Sequence, residues 1–146
     1  MLMSSSDMIV FVCLHGAAKS IIASTYLNRL SAERGLDIRS TAAGIEPESK
    51  IPTQVKEGLL RDGLDVSGHQ PRRVTREELA AARRVVSFDC DLGEVAPPGL
   101  AVERWDGMPM VSDGFTVARD AIVARVRRFL DRLTATGQLL EAEFPV

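Results

Sequence analysis

One short run of the chain holds a nucleophile, a cation, a hydroxyl and several small residues: Cys13-Leu14-His15-Gly16-Ala17-Ala18-Lys19-Ser20. The apolar residues 8–13 before it read as a strand buried on both faces. Residues 20–34 after it read as a helix, with Ile22, Tyr26, Leu27 and Leu30 at helical spacing and Gly35 as the stop. Backbone N–H groups in such a strand-to-helix loop can converge on one point and make an anion nest. The helix start adds about half a positive charge. Gly16, Ala17 and Ala18 let the backbone come close to a ligand, Lys19 brings a full positive charge, and the Ser20 hydroxyl can donate to a sulfur or oxygen anion. These surroundings favour the thiolate, the attacking form of Cys13. A thiolate beside an oxyanion cradle suits attack on phosphorus or arsenic. The same pattern also describes a structural cysteine buried ahead of a tight turn. A Walker-type phosphate loop is excluded, because its glycine-lysine spacing is absent.

The elements that must position this loop follow from the rest of the pattern. Residues 36–43 read as a second strand ended by Gly44, and residues 52–62 as a helix with Pro52 near its first position and Gly63 after its end. Residues 75–82 read as a short helix opened by a Thr75/Glu78 capping box. Residues 84–88 and 101–105 read as strands three and four, separated by the Pro97-Pro98-Gly99 turn. Residues 115–133 read as a long amphipathic helix burying Val117, Ile122, Val126, Phe129, Leu130 and Leu133. Alternating strands and helices imply an α/β fold: a four-stranded parallel sheet flanked by helices in three layers, with ligands at the carboxyl ends of the strands.

Composition bounds the partners. The 146 residues are 45% hydrophobic and 26% charged with a net charge of −2, which fits a single globular domain and not a general nucleic-acid binder. That domain is expected over residues 8–146, after a flexible N-terminus of residues 1–7. No apolar run approaches the roughly 18 residues of a membrane span. Residues 1–7 lack the basic flank of an export signal. Two cysteines make no disulfide scaffold, so both are expected to be reduced in the cytoplasm. Two histidines without ligand spacing give no metal site, and no cofactor is called for. The oligomeric state stays open.

The cysteine loop resembles the signature of low-molecular-weight protein tyrosine phosphatases and thioredoxin-linked arsenate reductases, in which Cys, five residues, Arg and Ser join the first strand to the first helix. Ala42-Ala43-Gly44, Gly63-Leu64-Asp65-Val66-Ser67-Gly68-His69-Gln70, Arg72 to Thr75, and Arg119-Asp120-Ala121-Ile122 through Val126 extend the resemblance over residues 8–133. It implies a phosphate, arsenate or phosphorylated substrate, with Cys13 as nucleophile and Leu14, His15, Gly16, Ala17, Ala18 and Ser20 around the oxyanion. The chain departs from the signature at Lys19, which replaces the Arg, and at Gly16, which replaces an Asn that braces the loop. Lysine offers a point charge where arginine offers a planar fork.

A phosphatase of this kind also needs an acid for the leaving group. The family places it in an Asp-Pro pair before the last helix, whereas this chain has Asp106 and Asp113 in that stretch without such a pair. Asp113 is preferred for its position just before the helix; capping of that helix by Ser112 or Asp113 is the alternative. Trp105 is expected in the core or as a pocket wall. Cys90 lies near the place of a second redox cysteine in the arsenate reductases, but no third cysteine exists, and Asp89 and Asp91 disfavour a thiolate there. His15 is placed to pair with the thiolate or with a substrate, and His69 to stabilise a turn. The basic residues Arg72, Arg73, Arg76, Arg83 and Arg84 read as a solvated face. Three functions remain: a cysteine-dependent phosphatase, an arsenate reductase using Cys13 and a second thiol, and a non-catalytic oxyanion- or protein-binding member.

Overall fold

The strand preceding the cysteine, β1 (Met8–Cys13), is the most deeply buried element, with Ile9, Val10, Phe11 and Val12 all at 0% exposure. Its unbroken apolar character needs cover on both faces, and the sheet provides it. The computed structural model describes residues 8–143, with side chains described through residue 135. The expected flexible N-terminus, residues 1–7, lies outside the described residues.

The remaining elements are α1 (Lys19–Glu33), β2 (Arg39–Gly44), α2 (Thr53–Arg61), α3 (Arg76–Ala81), β3 (Arg84–Ser87), β4 (Glu103–Arg104) and α4 (Phe115–Glu143). The strands form one parallel sheet in the order β2-β1-β3-β4. Successive strand residues face opposite sides, so Ile9, Phe11 and Cys13 enter one core and Val10 and Val12 another. The first core is the larger. It takes the apolar faces of α1, α2 and α4, and at its centre Trp105, fully buried, meets Phe11, Phe88 and Phe129 at centroid distances of 5.5–5.6 Å. The second is covered by α3 and the chain around Leu92 and Leu100. The three layers are therefore unequal in thickness.

Several boundaries differ from the sequence expectation, each for a local reason. β2 begins at Arg39 because residues 36–38 are still closing α1. The Ser31 hydroxyl donates to Ile38 O at 2.6 Å, and Leu36 N–H donates to Ser31 O at 2.9 Å. β4 shrinks to two residues, since the turn holding Leu100 N–H on Pro97 O keeps the chain off β3 until Glu103. α4 runs on past Leu133 to Glu143, because Gly137 weakens a helix without stopping it. Val117, expected on the buried side of α4, is 63% exposed; Ala118 takes that place at the spacing of Ile122 and Val126. The Thr75/Glu78 capping box forms as expected.

One buried-edge cluster ties three helices together. Asp62, just after α2, accepts from the Tyr26 hydroxyl of α1 at 2.5 Å and from Arg119 Nη1 of α4 at 2.8 Å. Burial alone would raise the Asp62 pKa, but the Tyr26 and Arg119 hydrogen bonds outweigh it and hold the carboxyl below its usual range. Tyr26 is correspondingly pushed up to about 12, by burial and by Asp62. A carboxyl whose pKa is depressed by folding stabilises the fold above its unfolded value of about 3.9, and that contribution is lost as the pH falls through the folded value. Asp62→Asn is therefore expected to cost about 1–3 kcal/mol at neutral pH. The difference from wild type should narrow in acid. Urea unfolding across pH measures both, and equal stability at neutral pH contradicts the assignment.

Candidate active site

Cys13 is the last residue of β1 and pairs in register with Gly44 of β2. Its Sγ lies 3.0 Å from the Ser20 hydroxyl, in the first turn of α1. Ala18 precedes that helix without any side-chain cap, so the helix start is left to whatever occupies the loop.

The loop's shape is set by where its carbonyls go. Cys13, Leu14 and His15 give their carbonyls to the N–H groups of Ile45, Glu46 and Glu48, at 3.3, 2.7 and 3.1 Å. Among the described residues, no N–H from Leu14 to Ala18 donates a hydrogen bond. A thiol, a hydroxyl and a row of unspent N–H groups at a helix start form an arrangement able to hold an anion.

Gly16 accounts for the tightness of the turn. It has φ of +61°, and a Cβ on it would stand 2.7 Å from Gly44 N; a Cβ on Gly44 would stand 2.6 Å from Gly16 N. The two backbones press together where side chains cannot fit. Gly44 is held in turn by Arg72 O and Val74 N–H, at 2.9 and 3.0 Å. The loop that lacks the family's bracing Asn is thus braced by backbone contact.

The expected neighbours of Cys13 separate into two groups. His15 does not turn to the thiol: its ring Nδ1 donates to Glu46 O at 3.0 Å. The Lys19 side chain is 11% exposed, and its ammonium donates to Asp89 Oδ2 at 3.0 Å and to Met108 O at 3.2 Å. Asp89 was passed over in the sequence as a site residue. It sits just after β3 with φ of +52°, the one described non-glycine residue in the left-handed region. Its other carboxylate oxygen accepts Gly107 N–H at 2.9 Å, and its own N–H donates to Asp106 Oδ1 at 3.0 Å. The Gly107 amide, with Lys19 adding to it against a burial penalty, holds the Asp89 carboxyl below the usual range. Asp106 also pairs with Arg104 Nε at 2.9 Å, so both its oxygens are engaged.

Asp113 ends a short 3-10 turn, Val111–Asp113, and is exposed. Its carboxylate has no hydrogen-bond or ion-pair partner among the described residues, and neither it nor Ser112 caps α4. Cys90 is buried in the second core, its Sγ beside the Ser87 hydroxyl at 3.4 Å and Val12 O at 3.9 Å. Burial, more than Cys13 and Asp89, pushes its thiol pKa up. Both cysteines are free.

In the basic stretch Arg73, Arg76 and Arg84 are exposed, as on a solvated face, while two of its residues also hold structure. Arg72 forks onto Glu78 at 2.6 and 2.8 Å and reaches Thr41, while Arg73 holds Ile45 O. His69 closes a turn through its N–H to Val66 O at 2.9 Å. Among the described residues no group of three or more His, Cys, Asp or Glu is placed to hold a metal, and no helix is long and apolar enough to cross a membrane.

Comparison with known proteins agrees with this geometry. A Halobacterium salinarum protein named "Putative arsenate reductase" is 27% identical over 128 residues, 83% of this chain and 89% of that protein. The thioredoxin-dependent arsenate reductase Cg_ArsC1' of Corynebacterium glutamicum superposes with a TM-score of 0.71 at 27% identity. That match covers 88% of this chain but 62% of the reductase, so this chain spans less than two thirds of it. YfkJ of Bacillus subtilis superposes with a TM-score of 0.78 at 20% identity, over 88% of this chain and 95% of YfkJ, a likeness of fold. The sequence profile of the low molecular weight phosphotyrosine protein phosphatases matches residues 8–103, which hold the cysteine loop, Gly44, Asp89 and all four strands up to the first residue of β4, and the chain belongs to that family.

Proposed function

We propose that this protein is a cysteine-dependent phosphatase that hydrolyses phosphomonoesters through a phosphocysteine intermediate. The observation that carries the reading is the direction of the loop's backbone. Three carbonyls are spent on residues 45–48, while the N–H groups from Leu14 to Ala18 and the uncapped start of α1 stay free to meet an oxyanion beside Cys13.

The Cys13 thiolate attacks phosphorus, and the bond to the ester oxygen breaks. The Ser20 hydroxyl, 3.0 Å away, donates to the sulfur before attack and on release. Loop amides from Leu14, His15, Gly16, Ala17 and Ala18 bind the phosphoryl oxygens and cost no reorganisation. Asp113 gives its proton to the leaving oxygen. It then takes one from water, which attacks phosphorus, breaks the P–S bond and frees phosphate and the thiolate. Asp113 suits this role because its carboxylate is uncommitted, whereas Asp106 is committed to Asp89 and Arg104. Asp106 thus acts as a positioning residue.

A second reading, arsenate reduction, is favoured by the two named relatives at 27% identity. Cys13 would attack arsenic with loss of water. A second thiol would then attack the Cys13 sulfur, releasing arsenite and leaving a disulfide, so that arsenic gains the two electrons the thiols lose. Cys90 faces the other core, so the second thiol would come from outside. A member that binds oxyanions without turnover is the third reading.

Two measurements separate these. Phosphate release from para-nitrophenyl phosphate in mildly acid buffer, where the ester is partly the monoanion, is expected for wild type, to vanish in Cys13→Ser and to persist in Cys90→Ser. Asp113→Asn is expected to lower kcat by about 10²–10⁴. Arsenite production with a supplied thiol, and none from the phosphate ester, supports the reductase; binding with neither reaction supports the third reading. In a separate assay, iodoacetamide at neutral pH is expected to label Cys13 first and Cys90 only on unfolding. Faster labelling of Cys90 contradicts an activated Cys13.

A further inference from the structure

We infer that Asp89 sets the charge preference of the oxyanion site: by pairing with the Lys19 ammonium, it leaves a cradle of neutral amides that selects singly charged tetrahedral anions over doubly charged ones. The inference rests on the reading of the Cys13 loop as an oxyanion site and adds the class of anion that it takes.

Lys19 is the one cation of the loop, and two of its three donors are spent on Asp89 and on Met108 O. The ion pair is 3.0 Å long and the lysine side chain is 11% exposed against 42% for Asp89, so the ammonium charge is met close at hand. What remains for an anion is the row of amides, the Ser20 hydroxyl and the partial charge of the α1 start. These offer hydrogen bonds in number but little net charge, and the Cys13 thiolate brings a negative one. A second negative charge on the ligand thus gains no unpaired cation and meets the charge of Cys13. Asp89 is placed firmly enough to enforce this, since Gly107 N–H holds its second oxygen and Asp106 holds its amide.

Asp89→Asn is the informative variant. Asparagine tolerates φ of +52° and keeps an acceptor for Gly107 N–H, so it removes the charge while preserving the turn. Binding of inorganic phosphate and of sulfate is measured by calorimetry in one mildly acid buffer, where phosphate is a monoanion and sulfate a dianion of similar shape. Wild type is expected to bind phosphate more tightly than sulfate. Asp89→Asn is expected to bind sulfate about tenfold or more tightly than wild type does, the size of one charge-assisted hydrogen bond, with a smaller gain for phosphate. Equal affinity of wild type for the two anions overturns the inference, as does unchanged sulfate affinity in a variant that melts as wild type does. Binding and turnover fail separately: the expected preference without phosphate release defeats the phosphatase reading alone, release without the preference defeats this inference alone, and no binding of either anion defeats both.

Discussion

The contact between Gly16 and Gly44 fixes the geometry on which the rest of the site depends. Each backbone occupies the space where the other's Cβ would stand, at 2.6–2.7 Å. That closeness brings the loop alongside residues 45–48, which then take its carbonyls. With the carbonyls so committed, the peptide planes leave their N–H groups unspent. The row of unspent N–H groups is thus a by-product of a loop glycine meeting the last glycine of β2. It needs no side chain from the loop, which is how the small residues Gly16, Ala17 and Ala18 can build it.

Side chains enter at the next level, as a chain of alternating charge. Lys19 at the start of α1 meets Asp89 after β3, Asp89 meets the amide of Gly107 after β4, and Asp106 bridges Asp89 and Arg104. These bonds join the carboxyl ends of β1, β3 and β4, the edge where ligands of parallel sheets bind. An exposed ion pair is worth little by itself. The low exposure of Lys19 and the shared partners make this group a fixed frame for the segment that carries Asp113.

Much of this was legible in the sequence, and the limits are physical. β1 and the cysteine loop could be read because their chemistry is contiguous: an apolar run, a thiol, small residues and a helix start. The Thr75/Glu78 cap was legible because a capping box spans four residues. Val117 was misplaced because its five-residue step to Ile122 is off the helical stripe that Ala118 keeps. The Lys19–Asp89 pair was hidden because 70 residues separate the partners, and only the strand order brings them together. The contact of Gly16 with Gly44 was hidden too, since a glycine does not announce what its missing side chain would have struck.

Asp89 also decides what Cys90 can do. Val86 and Phe88 face the larger core, the side on which Cys13 lies. Continued alternation would send residue 90 to that same side, toward the cysteine loop. The left-handed turn at Asp89, φ of +52°, breaks the alternation, and Cys90 enters the second core beside Val12 and Ser87 instead. A left-handed residue with a side chain costs roughly 1–2 kcal/mol, least for Asp and Asn. The Gly107, Asp106 and Lys19 bonds of Asp89 offset that cost. One residue thereby both pairs the loop's cation and turns the second thiol into the other core. The cation beside Cys13 is paired through Asp89, and Cys90 is packed between Val12 and Ser87.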